Sequence, residues 1–203
     1  MNETKPIVFV IDDDPSIREA LDSLLRSVGL EARCFGSVKE FVAAPRPDVP
    51  SCLVLDVRLP GKGGMDFQKE FALSETPLPV IIMTGHGDIA MSVQAMKTGA
   101  VDFLPKPFRE QDLLDAIEAA LEKDRARRAE ARELAMLRER LATLNEGERR
   151  VVAQVVQGRL NKQIAGELGV SEITVKVRRS RAMRKLHAGS LAELIKIAGR
   201  LGI

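Results

Sequence analysis

At 203 residues, 45% of them hydrophobic and with a formal net charge of +2, the chain has the size and apolar content for one large domain or two small ones. Cys34 and Cys52 stand in no metal-type spacing and are too few for a secreted disulfide framework, so they are expected to be reduced core residues; the apolar run near the N-terminus is too short for a signal peptide or a span, and a soluble cytoplasmic protein is expected. Trp and Tyr are absent, which argues against single-strand binding by base stacking, while residues 1–120 carry an excess of seven acidic charges and residues 144–203 an excess of seven basic ones. Two domains with a polyanionic partner for the second fit that asymmetry.

From residue 6 to about 121, apolar runs of strand length alternate with segments of helical period. Ile7–Ile11 is strand-like, and Ile17, Leu21, Leu24, Leu25 and Val28 then share one helical face that stops at Gly29. The alternation repeats through Leu30–Phe35, a helix near Ser37–Ala44, the strand Leu53–Leu55, a helix near Met65–Leu73, Val80–Met83, a helix near Ile89–Lys97, Val101–Leu104 and a helix from near Gln111. Five βα units imply a parallel sheet covered on both faces, and right-handed crossovers make it a doubly wound α/β fold.

That last helix is expected to continue. Leu113–Leu144 contains neither Gly nor Pro and is rich in Ala, Glu, Arg and Leu. Leu134, Leu137, Leu141 and Leu144 have heptad spacing, which leaves two readings open: a self-associating linker, or a single helix whose leucines touch the next domain. Beyond it lie short helices over Glu148–Val156, Lys162–Leu168, Glu172–Leu186 and Leu191–Leu201, with Ser171 as an N-cap for the third. The middle pair, joined by a Gly-containing turn, is a helix-turn-helix pattern, giving domains at 1–121 and 144–203 with a helical linker at 122–143.

Four strand runs end on chemistry. Asp12 and Asp13 follow the first, Asp56 follows Leu53–Leu55, Thr84 follows Val80–Met83, and Lys106 lies just past Val101–Leu104. If the strands are parallel neighbours, these groups share the carboxyl edge of the sheet, where open α/β folds place ligands. Crowded carboxylates repel one another unless a cation joins them, and an all-oxygen set suits Mg²⁺. One carboxylate can act as a nucleophile toward phosphorus, with Lys106 and Thr84 answering the phosphoryl charge. His86, without a paired His or Cys, reads as a loop hydrogen-bonder.

The runs VIDDDPSIREAL, LVLDVRLPGKGGMD and VIIMTGHGDIAMSVQAMKTGAVDFLPKPF resemble the receiver domain of two-component response regulators of the FixJ/NarL type. The resemblance implies a flavodoxin-like sheet of order 2-1-3-4-5, with Asp56 as phosphoacceptor and Asp13 as a direct ligand of Mg²⁺ (or Mn²⁺). It makes Asp12 a water-mediated ligand, the Arg58 carbonyl a further one, Thr84 and Phe103 a switch pair, and the Lys106–Pro107 peptide cis. It also implies a sensor histidine kinase as partner and no enzymatic turnover. A phosphatase of the haloacid-dehalogenase type is the rival; it would need a second aspartate two residues after the nucleophile, where this chain has Arg58.

In the last third, Lys176, Arg178, Arg179, Arg181, Arg184 and Lys185 crowd one expected helix. The segment LNEGERRVVAQVVQGRLNKQIAGELGVSEITVKVRRSRAMRKL resembles the LuxR-type helix-turn-helix. That resemblance implies binding to double-stranded promoter DNA, contact with RNA polymerase and a homodimer when phosphorylated. DNA contacts would come from Lys162, Ser171, Thr174, Lys176, Val177, Arg178, Arg179, Ser180 and Arg181. RNA or a protein is the alternative partner for a basic module. The chain departs from the family's usual residues at Asn145, Gly147 and Arg178, where Thr, Arg and His respectively are common.

Overall fold

The computed structural model describes residues 5–59, 64–74, 77–85 and 89–203, side chains of 89–91 excepted. The backbone divides into two compact units, the first ending at Arg128 and the second beginning at Ala129. In the first, strands β1 (Ile7–Ile11), β2 (Glu31–Phe35), β3 (Ser51–Asp56), β4 (Val80–Thr84) and β5 (Asp102–Pro105) form a five-stranded parallel sheet of order β2-β1-β3-β4-β5. Helices α1 (Pro15–Ser27), α2 (Val38–Ala43), α3 (Gly64–Ala72), α4 (Ile89–Lys97) and α5 (Glu110–Ala142) alternate with the strands.

The period-two geometry of a strand sends neighbouring side chains to opposite faces. Ile7, Phe9, Ile11, Leu53, Leu55, Val80 and Ile82 join a core with Phe41, Phe67, Phe71 and Ala95 of α2, α3 and α4. Val8, Val10, Cys52, Val54, Ile81 and Met83 face the other way, onto Leu21 and Leu25 of α1 and Leu113, Ala116 and Ile117 of α5. Both faces of the central strands are buried, which is why their sequences are continuous apolar runs rather than alternating ones. Cys34 and Cys52 sit on β2 and β3, on either side of β1, and both are free thiols.

β3 begins two residues before the expected Leu53 because Ser51 and Cys52 pair with Ile7 and Val8. Its first amide is also claimed from outside the sheet: Ser51 N donates to Asp124 Oδ2 at 2.9 Å. Asp124 lies on α5 with a fully buried side chain, and it also accepts from Arg127 Nη2 at 2.6 Å and Arg128 Nε at 2.5 Å; Arg128 reaches on to Asp48. Burial pushes the Asp124 carboxyl up, but the hydrogen bonds from Arg128, Arg127 and the Ser51 amide outweigh it and hold the pKa below the usual range. Asp124 thus ties α5 to the amino end of the sheet. We expect Asp124→Ala to cost about 2–3 kcal/mol, because it strips a half-buried arginine pair and a buried amide of their acceptor; chemical denaturation followed by circular dichroism would read the loss.

The second unit holds the end of α5 with α6 (Glu146–Val156), α7 (Asn161–Leu168), α8 (Glu172–Lys185) and α9 (Leu191–Leu201). Leu137 and Leu144 are buried in its core beside Val151, Val155, Ile164, Val175 and Leu194, and Leu141 packs at the margin. Three of the four heptad leucines, Leu137, Leu141 and Leu144, thus contact the following helices, while Leu134 is partly exposed and outside that core. Gly169 ends α7 at φ 62°, a left-handed conformation that a side chain would resist, and turns the chain toward α8.

Asn145 and Glu148 form a reciprocal capping box at the start of α6, so Asn145 serves as its N-cap. The buried Glu148 carboxylate also accepts from Lys185 Nζ at 2.6 Å, and that ammonium holds its pKa below the carboxylate range. A depressed acid contributes stability that is complete above its unfolded pKa, about 4.3, and is lost as pH falls through the folded value. Glu148→Gln should lower the unfolding temperature at neutral pH, with the difference from the parent shrinking as pH falls below the unfolded value and through the depressed folded one. A difference that persists in acid would place the effect elsewhere.

Candidate functional site

Parallel neighbours end at one edge, and there the expected groups meet. Asp12 directly follows β1, Asp56 ends β3, Thr84 ends β4 and Lys106 follows β5; Asp12 and Thr84 are fully buried and Asp56 nearly so. Lys106 Nζ donates to Asp12 Oδ2 at 2.7 Å and to Asp56 Oδ2 at 2.9 Å. The Lys106–Pro107 peptide is cis, as expected. Carboxylate oxygens of Asp12, Asp13 and Asp56 all lie within 4.8 Å of one another.

The charge at this edge is unbalanced. Burial raises the Asp12 pKa, the Asp56 charge raises it further, and Lys106 with the Asp14 amide only partly offsets them. On Lys106, burial acts to lower the pKa, yet its bonds to Asp12 and Asp56 win and raise it, so the ammonium stays charged. One ammonium against three carboxylates leaves a net negative pocket of hard oxygen donors, which fits a divalent cation of the magnesium class.

Local backbone bonds hold the acids in place. Asp12 Oδ1 accepts from Asp14 N at 3.0 Å, Asp56 Oδ1 accepts from Arg58 N at 3.1 Å, and Asp14 caps α1. Arg18, which sequence reasoning passed over, donates to the carbonyls of Asp12 at 2.7 Å and Asp13 at 3.0 Å, bracing the turn that carries both acids. Gly64 is also required by close packing: a Cβ there would lie 2.3 Å from the Asp56 carbonyl oxygen, and its amide donates to Val57 O at 3.0 Å. We expect Gly64→Ala to push the Asp56 turn out of register, cutting phosphodonor-dependent modification at least tenfold while the protein stays folded; an unchanged rate would remove the glycine from the site.

Phe103 is half-buried on β5, pairs with Ile82 two residues below the level of Thr84, and packs against the α2–α4 core. Arg58, two residues beyond Asp56, is exposed and supplies no second acid. His86 lies outside the described residues.

In the second unit several basic residues are tied to partners. Arg149 donates to the carbonyls of Leu141, Ala142 and Leu144, Arg150 pairs with Glu146, Arg159 with Glu167 and Arg200 with Glu133. Lys185, counted in sequence among the helix's cations, is committed to Glu148 and to the Thr143 carbonyl. By contrast the side chains of Lys162, Lys176, Arg178, Arg179, Arg181 and Arg184 make no hydrogen bond or ion pair among the described residues, and all but Lys162 belong to α8. Ser171 caps α8 by accepting from Thr174 N at 3.1 Å, and its hydroxyl also bonds that of Thr174. Ile173 and Val177 are 74% and 43% exposed beside Lys176, giving the first turns of α8 both apolar and cationic tips. Val175, Ala182 and Leu186 are buried and hold the opposite face against α6 and α7. Lys176, Arg179, Ser180, Met183 and Arg184 line a cavity of about 470 Å³.

Comparison with known proteins joins the two sites. Residues 8–118 match the response regulator receiver domain, and residues 142–198 match the bacterial regulatory proteins of the luxR family. The chain belongs to the two-component response regulators of the FixJ/NarL type. It is 54% identical over 200 residues to nodulation protein W of Bradyrhizobium diazoefficiens, covering 98% of this chain and 88% of that one. It is 42% identical to the response regulator protein TodT of Pseudomonas putida, with 99% and 88% covered, and 40% identical to the transcriptional regulatory protein FixJ of B. diazoefficiens, with 98% of each covered. Among solved structures, the response regulator StyR superposes with a TM-score of 0.83 at 45% identity, covering 97% of this chain and all of that one. The protein is a phosphorylation-controlled transcriptional regulator with a LuxR-type DNA-binding domain, and the phosphatase alternative is not favoured.

Proposed function

We propose that Asp56 is the phosphoacceptor and that its phosphorylation controls DNA binding by α8. The observation that carries this reading is the convergence of Asp56, Asp12 and Lys106 at one sheet edge, in a chain where Lys176, Arg178, Arg179, Arg181 and Arg184, without side-chain partners among the described residues, share one helix of the other unit. An oxygen of the Asp56 carboxylate attacks the phosphorus of a phosphohistidine on a sensor histidine kinase. The new O–P bond forms as the P–N bond breaks, and the imidazole nitrogen leaves with the electron pair. Mg²⁺ (or Mn²⁺), held by Asp12, Asp13, Asp56 and the Arg58 carbonyl, would neutralise phosphoryl charge. Lys106, already on Asp56, is placed to transfer to a phosphoryl oxygen; the Thr84 hydroxyl follows, and Phe103 moves with it.

That local charge change biases a two-state surface around α4 and β5, favouring a homodimer that binds promoter DNA and meets RNA polymerase. Residues Lys162, Ser171, Thr174, Lys176, Val177, Arg178, Arg179, Ser180 and Arg181 form the DNA contact, with Lys176 and Val177 nearest the base edges. The protein works in the cytoplasm and does not turn over a substrate. Incubation with a small acyl phosphate and Mg²⁺ should add one phosphoryl group and raise occupancy of genomic sites. Catalytic hydrolysis of many phosphomonoesters would reverse the assignment to the phosphatase alternative. Loss of both salt dependence and sequence preference on duplex DNA would favour RNA or a protein as partner.

A further inference from the structure

The departures from the family's usual residues at positions 147 and 178 meet in space. Gly147 lies in the first turn of α6, and a Cβ there would stand 2.9 Å from Arg178 Cζ and 3.0 Å from its Nε and Nη1. The guanidinium therefore fills the place of the missing side chain. It is half-buried, yet it has no hydrogen bond or ion pair among the described residues. Glu146, which lines the same pocket as Arg178, is paired with Arg150 at 2.5 Å, and Glu148 is paired with Lys185. An arginine that gives up conformational freedom to lie against a helix without a counter-charge is preorganised for an anion that comes from outside.

We propose that Gly147 and Arg178 are a functional pair, in which the glycine makes room for the guanidinium and holds it as a fixed cation for one phosphate of the DNA backbone. Arg178 is then a positioned phosphate contact at the α6–α8 junction rather than a reader of base edges, and Gly147 becomes a DNA-affinity determinant without touching DNA. The inference rests on the DNA-binding reading and assigns different work to one residue within it.

The test is the salt dependence of binding of the full-length protein to a short duplex of mixed sequence. A phosphate contact releases a counterion, so Arg178→Ala should flatten the slope of log K against log salt by about one unit and weaken binding equally across sequences. Gly147→Ala should shift the slope the same way, because its Cβ displaces the guanidinium; the double variant should be no worse than Arg178→Ala alone. Alanine is the better helix former at 147, so an unfolding temperature that holds or rises while binding falls excludes damage to α6 as the cause. An unchanged slope in Arg178→Ala, or full additivity of the two changes, would overturn the pairing while leaving the DNA reading intact. Failure of the parent protein to bind duplex in a salt-dependent way would overturn both.

Discussion

Asp56→Asn protein, given a small acyl phosphate and Mg²⁺, should gain no phosphoryl mass, and its DNA occupancy and oligomeric state should no longer respond to the donor. The reason lies in the residue's two jobs. As the proposed phosphoacceptor it would supply the attacking oxygen, which an amide cannot do, and as a carboxylate it shares the Lys106 ammonium with Asp12 at 2.9 and 2.7 Å. Asparagine removes the nucleophile but keeps the volume and one oxygen for Lys106, so folding should survive and the loss should be read as chemistry. The effect is all-or-none on phosphate uptake. Uptake that persists in the variant would move the acceptor to Asp12 or Asp13.

The second large effect is expected at the other end of the chain. Lys176→Ala should weaken binding to a specific operator by about 1–3 kcal/mol and relax the preference at one base pair, if the ammonium reaches a base edge. Its setting supports that role: it is exposed and unpaired, stands between Ile173 and Val177, whose apolar tips suit thymine methyl groups, and rides on a helix whose opposite face is locked by Val175 and Ala182. Operator affinity unchanged in titrations at fixed salt would take Lys176 out of the site. A loss equal on all sequences, with a flatter salt slope, would make it a phosphate contact.

Much of this was legible before any coordinates. The three central apolar runs of the first unit are buried on both faces, so they carry the strongest signal a strand can have, and their carboxyl ends named Asp12, Asp56 and Thr84 directly, while Lys106 lies just past the partly buried β5. Helix boundaries in the second unit followed from Gly and Ser punctuation. What escaped were contacts between residues far apart in sequence. Nothing in the period around Asp124 distinguishes it from the other acids of a charged helix, because its importance comes from an amide 73 residues earlier. Nothing in the local pattern marks Arg18, and Lys185 counts as one more cation of its helix; the first braces two carbonyls and the second answers Glu148. The heptad spacing of the leucines was real, but spacing alone does not say whether a partner helix or the next helices of the same chain will cover them.

The Asp124 anchor also bears on how such regulators can be recombined. A junction placed where the apolar pattern of the receiver fades, near Leu121, would sever α5 before Asp124, Arg127 and Arg128, and a foreign helix spliced there would leave the Ser51 amide without its acceptor. A hybrid joined after Arg128 keeps the whole clasp with the receiver that built it. The portable unit is therefore longer than its hydrophobic pattern suggests, and grafts of this receiver onto other output domains should succeed or fail on those seven residues.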